Sequence, residues 1–107
     1  MRSIINGIRR LDTCINCDRI EAEKARVIAA VELAPRSCLV CESSDAIAIG
    51  TWTAGKEHRL AVGDKKGVVS VFGFWLCEQH MEITPVNEKL ITQIIVQEAN
   101  HGNPQQI

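Results

Sequence analysis

Two short residue pairs, CLVC at Cys38–Cys41 and CEQH at Cys77–His80, constrain this chain more than any other feature. Two residues between ligands let a tight turn aim both side chains at one ion. Zinc takes four N/S ligands in a tetrahedron, with Zn–S about 2.3 Å and Zn–N about 2.0 Å. A single pair of this kind also serves redox chemistry. Two pairs bracketing a segment of strand-like composition predict a structural Zn2+ site made of Cys38, Cys41, Cys77 and His80. The competing reading is a buried thiol cluster that holds no metal.

The rest of the composition sets bounds. A length of 107 residues predicts one domain with a modest core, and the 46% hydrophobic content argues against disorder. A formal net charge of −1 removes the usual electrostatic footprint of a general nucleic-acid binder. The start, MRSIINGIRR, returns to charge after two consecutive isoleucines and does not read as a signal peptide. No apolar run approaches the roughly 18 residues that a membrane span needs. Four of the five cysteines sit in CxxC pairs. Without a secretion signal, that spacing favours reduced, metal-binding thiols of a cytoplasmic protein over a disulfide framework.

From the N-terminus, Ile4, Ile5, Ile8 and Leu11 fall at helical spacing, interrupted by Asn6-Gly7, itself a hairpin-turn dipeptide. A short helix is preferred to a hairpin. A longer helix is expected over residues 19–33. Asp18 and Glu21 have the spacing of a capping box, and Ile20, Val27, Ile28 and Val31 make one apolar face. Pro35 then disfavours helical geometry at Ala34.

This helix bears on the choice of ligands. Cys14/Cys17 and Cys38/Cys41 also form a zinc-like CxxC…CxxC spacing. They flank opposite ends of a helix whose 15 residues, at 1.5 Å each, span roughly 22 Å. Residues 34–37 are too few to bring the pairs comfortably together, so Cys38, Cys41, Cys77 and His80 form the better quartet. Three accounts of Cys14 and Cys17 stay open: small buried thiols, a redox CxxC at a helix N-terminus, or half of a second metal site completed across a homodimer axis.

Between the two knuckles the sequence reads as a three-stranded antiparallel meander, with strands at 46–52, 57–63 and 68–76. TAGK and GDKKG form the turns, with Gly67 at a positive-φ position. The third run is apolar on both faces: Val69, Val71 and Trp75 on one, Val68, Phe72, Phe74 and Leu76 on the other. Such a strand must be covered on both sides, by the two helices or by a second subunit. Trp52 and Trp75 are assigned to the core. After His80, Thr84-Pro85 marks a helix start, and Val86, Leu90, Ile91, Ile94 and Ile95 build its apolar face. Residues 101–107 read as a flexible polar tail. The expected whole is an α+β domain over residues 1–100, with a helical part at 1–35 and a zinc-binding part at 38–99.

A CxxC knuckle, a hairpin, and a second ligand pair leading into a helix resemble the treble-clef group of zinc fingers. The resemblance covers residues 38–99 at the level of the fold group. In that group the last two ligands usually sit in the first turn of the helix. Pro85 follows His80 by five residues, so residues 77–82 would form a separate short turn. Some treble clefs are His-Asn-His nucleases, whose catalytic metal needs histidines on the hairpin and the helix. Only His58 stands in the predicted hairpin, and the final helix has none before His101. GTWTAGKE, residues 50–57, nearly spells a phosphate-binding loop, but Glu57 replaces the magnesium-binding hydroxyl and no helix follows.

Four N/S ligands close a zinc site, leaving no position for a reacting water. The expected protein is therefore not an enzyme. It is a small adaptor or regulator acting through protein–protein contacts, of a kind a phage or mobile element would encode. The alternative is a zinc-finger regulator that binds nucleic acid through Lys56, Arg59, Lys65 and Lys66, with Arg9, Arg10 and His58 as further candidates.

Overall fold

Nine consecutive residues, Val68–Leu76, form the strand around which everything else is arranged. In the computed structural model, which describes residues 7–16, 18–102 and 104–107, this is β3 of a mixed sheet with strands β1 (Arg9–Cys14), β2 (Ala48–Thr53) and β4 (Gln105–Gln106). The order is β2-β3-β1-β4, with β1–β4 parallel and the other neighbours antiparallel. Two helices, α1 (Ile20–Glu32) and α2 (Pro85–Asn100), complete the domain.

The two-sided apolarity of β3 has the consequence expected of it. Val71 and Trp75 pack with Val27 and Val31 of α1, while Phe72, Phe74 and Leu76 share a cluster with Ile94 and Ile95 of α2. One helix lies on each face, so no second subunit is needed to cover the strand. Gly73 is where α1 passes closest. A Cβ there would collide with Val27 and lie 2.8 Å from Val31 Cγ2. Trp75 fixes the same crossing by donating its indole N–H to the Val31 carbonyl at 2.9 Å. Trp75 is core, and Trp52 is half-buried with its indole donating to Thr92 Oγ1 at 3.2 Å.

Helix bounds agree closely with the sequence, but several other expectations need correction. The described N-terminal segment is strand β1, not helix. Pairing with β3 gives Leu11 a buried position opposite Val71 on the α1 side, while Ile8 is buried on the α2 side. Residues 57–63 are a chain of turns, not a strand. His58 and Arg59 N–H groups both donate to the Gly55 carbonyl, Val62 donates to His58, and Gly63 takes φ +82°. The meander is thus replaced by a four-stranded mixed sheet, in which β1 occupies the edge of β3 away from β2. The Asp18–Glu21 capping box is absent as well. Arg19 is the N-cap, no side chain caps α1, and Asp18 itself has φ +52°. Gln105–Gln106 pairs with β1 in the segment expected as a loose tail. Val86 is 68% exposed and contributes nothing to the buried face of α2. Gly67 does take the positive φ (+81°) expected at its turn.

Candidate metal centre

Three segments bring the ligands together. The first knuckle lies against the end of β3, where Leu39 N donates to the Trp75 carbonyl at 2.9 Å and Cys38 makes a parallel bridge to Trp75. The Cys38 N–H donates to Ser43 O and the Glu42 N–H to Cys38 O, closing a tight turn with Glu42 at φ +60°. Cys77 follows β3 directly. The N–H groups of His80 and Met81 both donate to its carbonyl, at 3.1 and 3.0 Å. The third segment is the start of α2. Thr84 accepts from the Asn87 N–H at 3.1 Å, and the Asn87 side-chain amide reaches back to the carbonyls of Glu82 (3.1 Å) and Gln79 (3.4 Å).

Cys38, Cys41, Cys77 and His80 converge so that their ligand atoms all lie within 4.8 Å of one another. Cys41 Sγ and Cys77 Sγ are 3.7 Å apart, and His80 Nδ1 lies 3.2 Å from Cys77 Sγ and 3.6 Å from Cys38 Sγ. A tetrahedron with sulfur arms of 2.3 Å has edges of about 3.8 Å, so these separations suit a single small ion. The four side chains could hold a metal. The Cys38 thiol is shaped for this: burial pushes its pKa up, but N–H donors from Cys41, Cys77 and Val40 and a hydrogen bond from the Cys41 side chain outweigh that and bring it down to about 6. Cys41, which stands at the surface, is raised by desolvation and by the neighbouring Cys38 and Cys77 sulfurs. A cation at the centre would favour its thiolate.

Cys14 lies at the end of β1 and is disulfide-bonded, so it is not among the reduced thiols the sequence led one to expect; Cys38, Cys41 and Cys77 are free. Cys17 falls outside the described residues. Lys56, Lys65 and Lys66 are exposed in the turn-rich segment 54–67 that joins β2 to β3. Arg59, in the same segment, is half-buried, with its Nε enclosed and unbonded. His58 packs its ring against Trp52 at 5.6 Å. Arg10 is withdrawn from any interface. Its guanidinium donates to Val62 O, Ser70 Oγ, Asp64 and Asp12 at 2.9–3.2 Å and lies over the Phe72 ring. Residues 50–57 run from β2 into turns with no helix behind them, as the departure from a phosphate-binding loop requires.

Sequence reasoning missed Asn87. It holds the backbone that carries His80, and its only sequence signal is its place three residues after a capping threonine.

The fold and the site together define a mixed α+β domain with a Cys3His cluster suited to one metal ion. No protein-family model matches the chain, and neither does any curated protein or solved structure. No helix among the described residues is long and apolar enough to cross a membrane.

Proposed function

We propose that this chain is a non-enzymatic zinc protein whose metal stabilises the fold, and that it works as an adaptor or regulator through contacts with another protein in the cytoplasm. The observation that carries the reading is the closed donor set. Three sulfurs and one imidazole nitrogen lie within 4.8 Å of one another, and a set of four N/S donors suits zinc better than the oxygen-preferring cations. Structural zinc contributes about 10–16 kcal/mol of apparent binding energy in small peptides at neutral pH, comparable to or above the net stability of an ordinary domain. The treble-clef likeness remains attached to this reading through the order of ligands: knuckle, β segment, second ligand pair, helix.

Exposed apolar side chains support an interaction role. Met81, Ile83 and Val86 are 41%, 87% and 68% exposed in the segment that follows the last ligand. Of the cations the nucleic-acid alternative invokes, Lys56, Lys65 and Lys66 are exposed, Arg9, His58 and Arg59 are half-buried, and Arg10 serves the interior. Titration of reduced, metal-free protein with zinc tests the proposal. Cooperative gain of structure that ends at one equivalent supports it, and a protein equally folded without metal contradicts it.

A further inference from the structure

Among the described residues no strand borders the outer edge of β2, which pairs with β3 alone. Ala54 N donates to Ser70 O across this ladder. Counting back by twos, the amides of Trp52, Gly50 and Ala48 point to β3, and those of Thr53, Thr51 and Ile49 point outward. Every residue of β2 is partly exposed. Such an edge is a template for an added strand unless something blunts it, and β2 carries neither proline nor a charged side chain.

Beside this edge, between β2 and the first half of α2, runs a groove of about 640 Å³. Its apolar wall includes Trp52, Phe74, Leu76 and Ile83. Gly50 lets the chain pass close over two of these, since a Cβ there would stand 2.9 Å from Phe74 and 3.1 Å from Leu76. The charged side chains in the wall are Glu57, Glu82 and Glu88, beside the imidazoles of His58 and His80, and no lysine or arginine among the described residues lines it. Lys56 is exposed in the turn beside Glu57 but is not part of the wall.

We infer that β2 and this groove bind an extended segment of a partner protein in which apolar and basic residues alternate. The inference rests on the protein-interaction reading above and names its partner class. Main-chain hydrogen bonds to Ile49, Thr51 and Thr53 supply strand addition. Because side chains alternate along a strand, the basic set enters the groove, its aliphatic stems on the apolar wall and its charges at the glutamates. The apolar set lies on the opposite face beside Ile47 and Ile49. A second copy of this chain suits the edge less well, since pairing β2 with itself about a two-fold axis sets the same glutamates of both copies around one groove.

The test uses the full chain, with its zinc content measured on the same sample. The probe is a labelled ten-residue peptide alternating valine and lysine, compared with its valine–glutamate counterpart by fluorescence anisotropy and amide NMR. The expected result is binding of the lysine peptide at least tenfold tighter, with shifts centred on the Ile49, Thr51 and Thr53 amides. Thr51→Pro removes an outward N–H that the native sheet does not use and should weaken binding at least tenfold with zinc retained. Should that variant fail to fold, Glu57→Lys with Glu82→Lys provides a second reading and should reverse the preference between the peptides. Equal affinity for the two peptides, no binding of either, or shifts away from β2 would overturn the inference. Self-association of the free chain through the β2 amides would overturn it in favour of a second copy. Zinc-loaded protein that ignores the peptide defeats only the groove, whereas folded, metal-free protein that binds it defeats only the zinc reading.

Discussion

The side-chain amide of Asn87, in the first turn of α2, donates to the main-chain carbonyl of Glu82 at 3.1 Å. Together with its bond to Gln79, this clamps the segment that contains His80 onto a helix whose own start is fixed by Thr84 and Pro85. The Cys3His cluster is thereby built on β3 at one side and on α2 at the other. Groups that orient a metal's ligands commonly cost 10- to 100-fold in metal affinity when removed. Asn87→Ala is expected to weaken zinc binding about tenfold while leaving the sheet intact. Competition against a chromophoric chelator measures the first, and far-UV circular dichroism the second.

The close crossing of α1 over Gly73 yields a prediction with a built-in rescue. Gly73→Ala places a methyl group where Val27 and Val31 already stand. Overpacking of this kind typically costs about 1–3 kcal/mol, and urea denaturation should show a loss in that range. Adding Val27→Ala makes room for the new methyl, so the double variant should be more stable than the two separate losses summed.

Asp64 has a side chain 1% exposed and is held by Arg10 Nη2 at 3.2 Å, by the Ser70 N–H at 3.0 Å and by the Ser70 hydroxyl. Arg10→Ala leaves that carboxylate enclosed without its cation, a change that costs about 3–5 kcal/mol for buried pairs. The same substitution at Lys65, an exposed turn residue, should fall within about 0.5 kcal/mol of wild type. Thermal or urea denaturation of both variants separates the structural arginine from the solvated lysine.

Cys14 and Cys17 are expected to be dispensable for the metal. Replacing both by serine should leave one zinc per chain and a folded domain, as read by elemental analysis and circular dichroism. Loss of zinc together with fold would show that the wrong cysteines had been assigned.

What the sequence discloses and what it hides follow from the range of the interactions. Ligand spacing is local, so Cys38/Cys41 and Cys77/His80 were legible. The Thr84-Pro85 start of α2 and the helical period of α1 were legible for the same reason. The apolar residues on both faces of β3 correctly required cover on both sides. Strand pairing depends on distant partners, and β1 was hidden because Ile8 and Leu11, three apart, have helical spacing. In the extended chain they are instead buried on opposite faces, Ile8 with the α2 cluster and Leu11 with the α1 cluster. The segment 57–63 misled because alternating Leu60 and Val62 imitate a strand, while successive turn hydrogen bonds leave Leu60 exposed and bury only Val62. Arg10 looked like a surface cation because its partner Asp64 lies 54 residues away.

The coordination of the metal tests the central claim most directly. X-ray absorption at the zinc edge, on protein containing one zinc per chain, should show three sulfur neighbours at about 2.3 Å and one nitrogen at about 2.0 Å. His80→Cys should convert this to four sulfurs, and Cys38→Ser should release the metal or collapse the fold. A shell dominated by oxygen, or freshly purified protein that is well folded and contains no metal, would contradict the account.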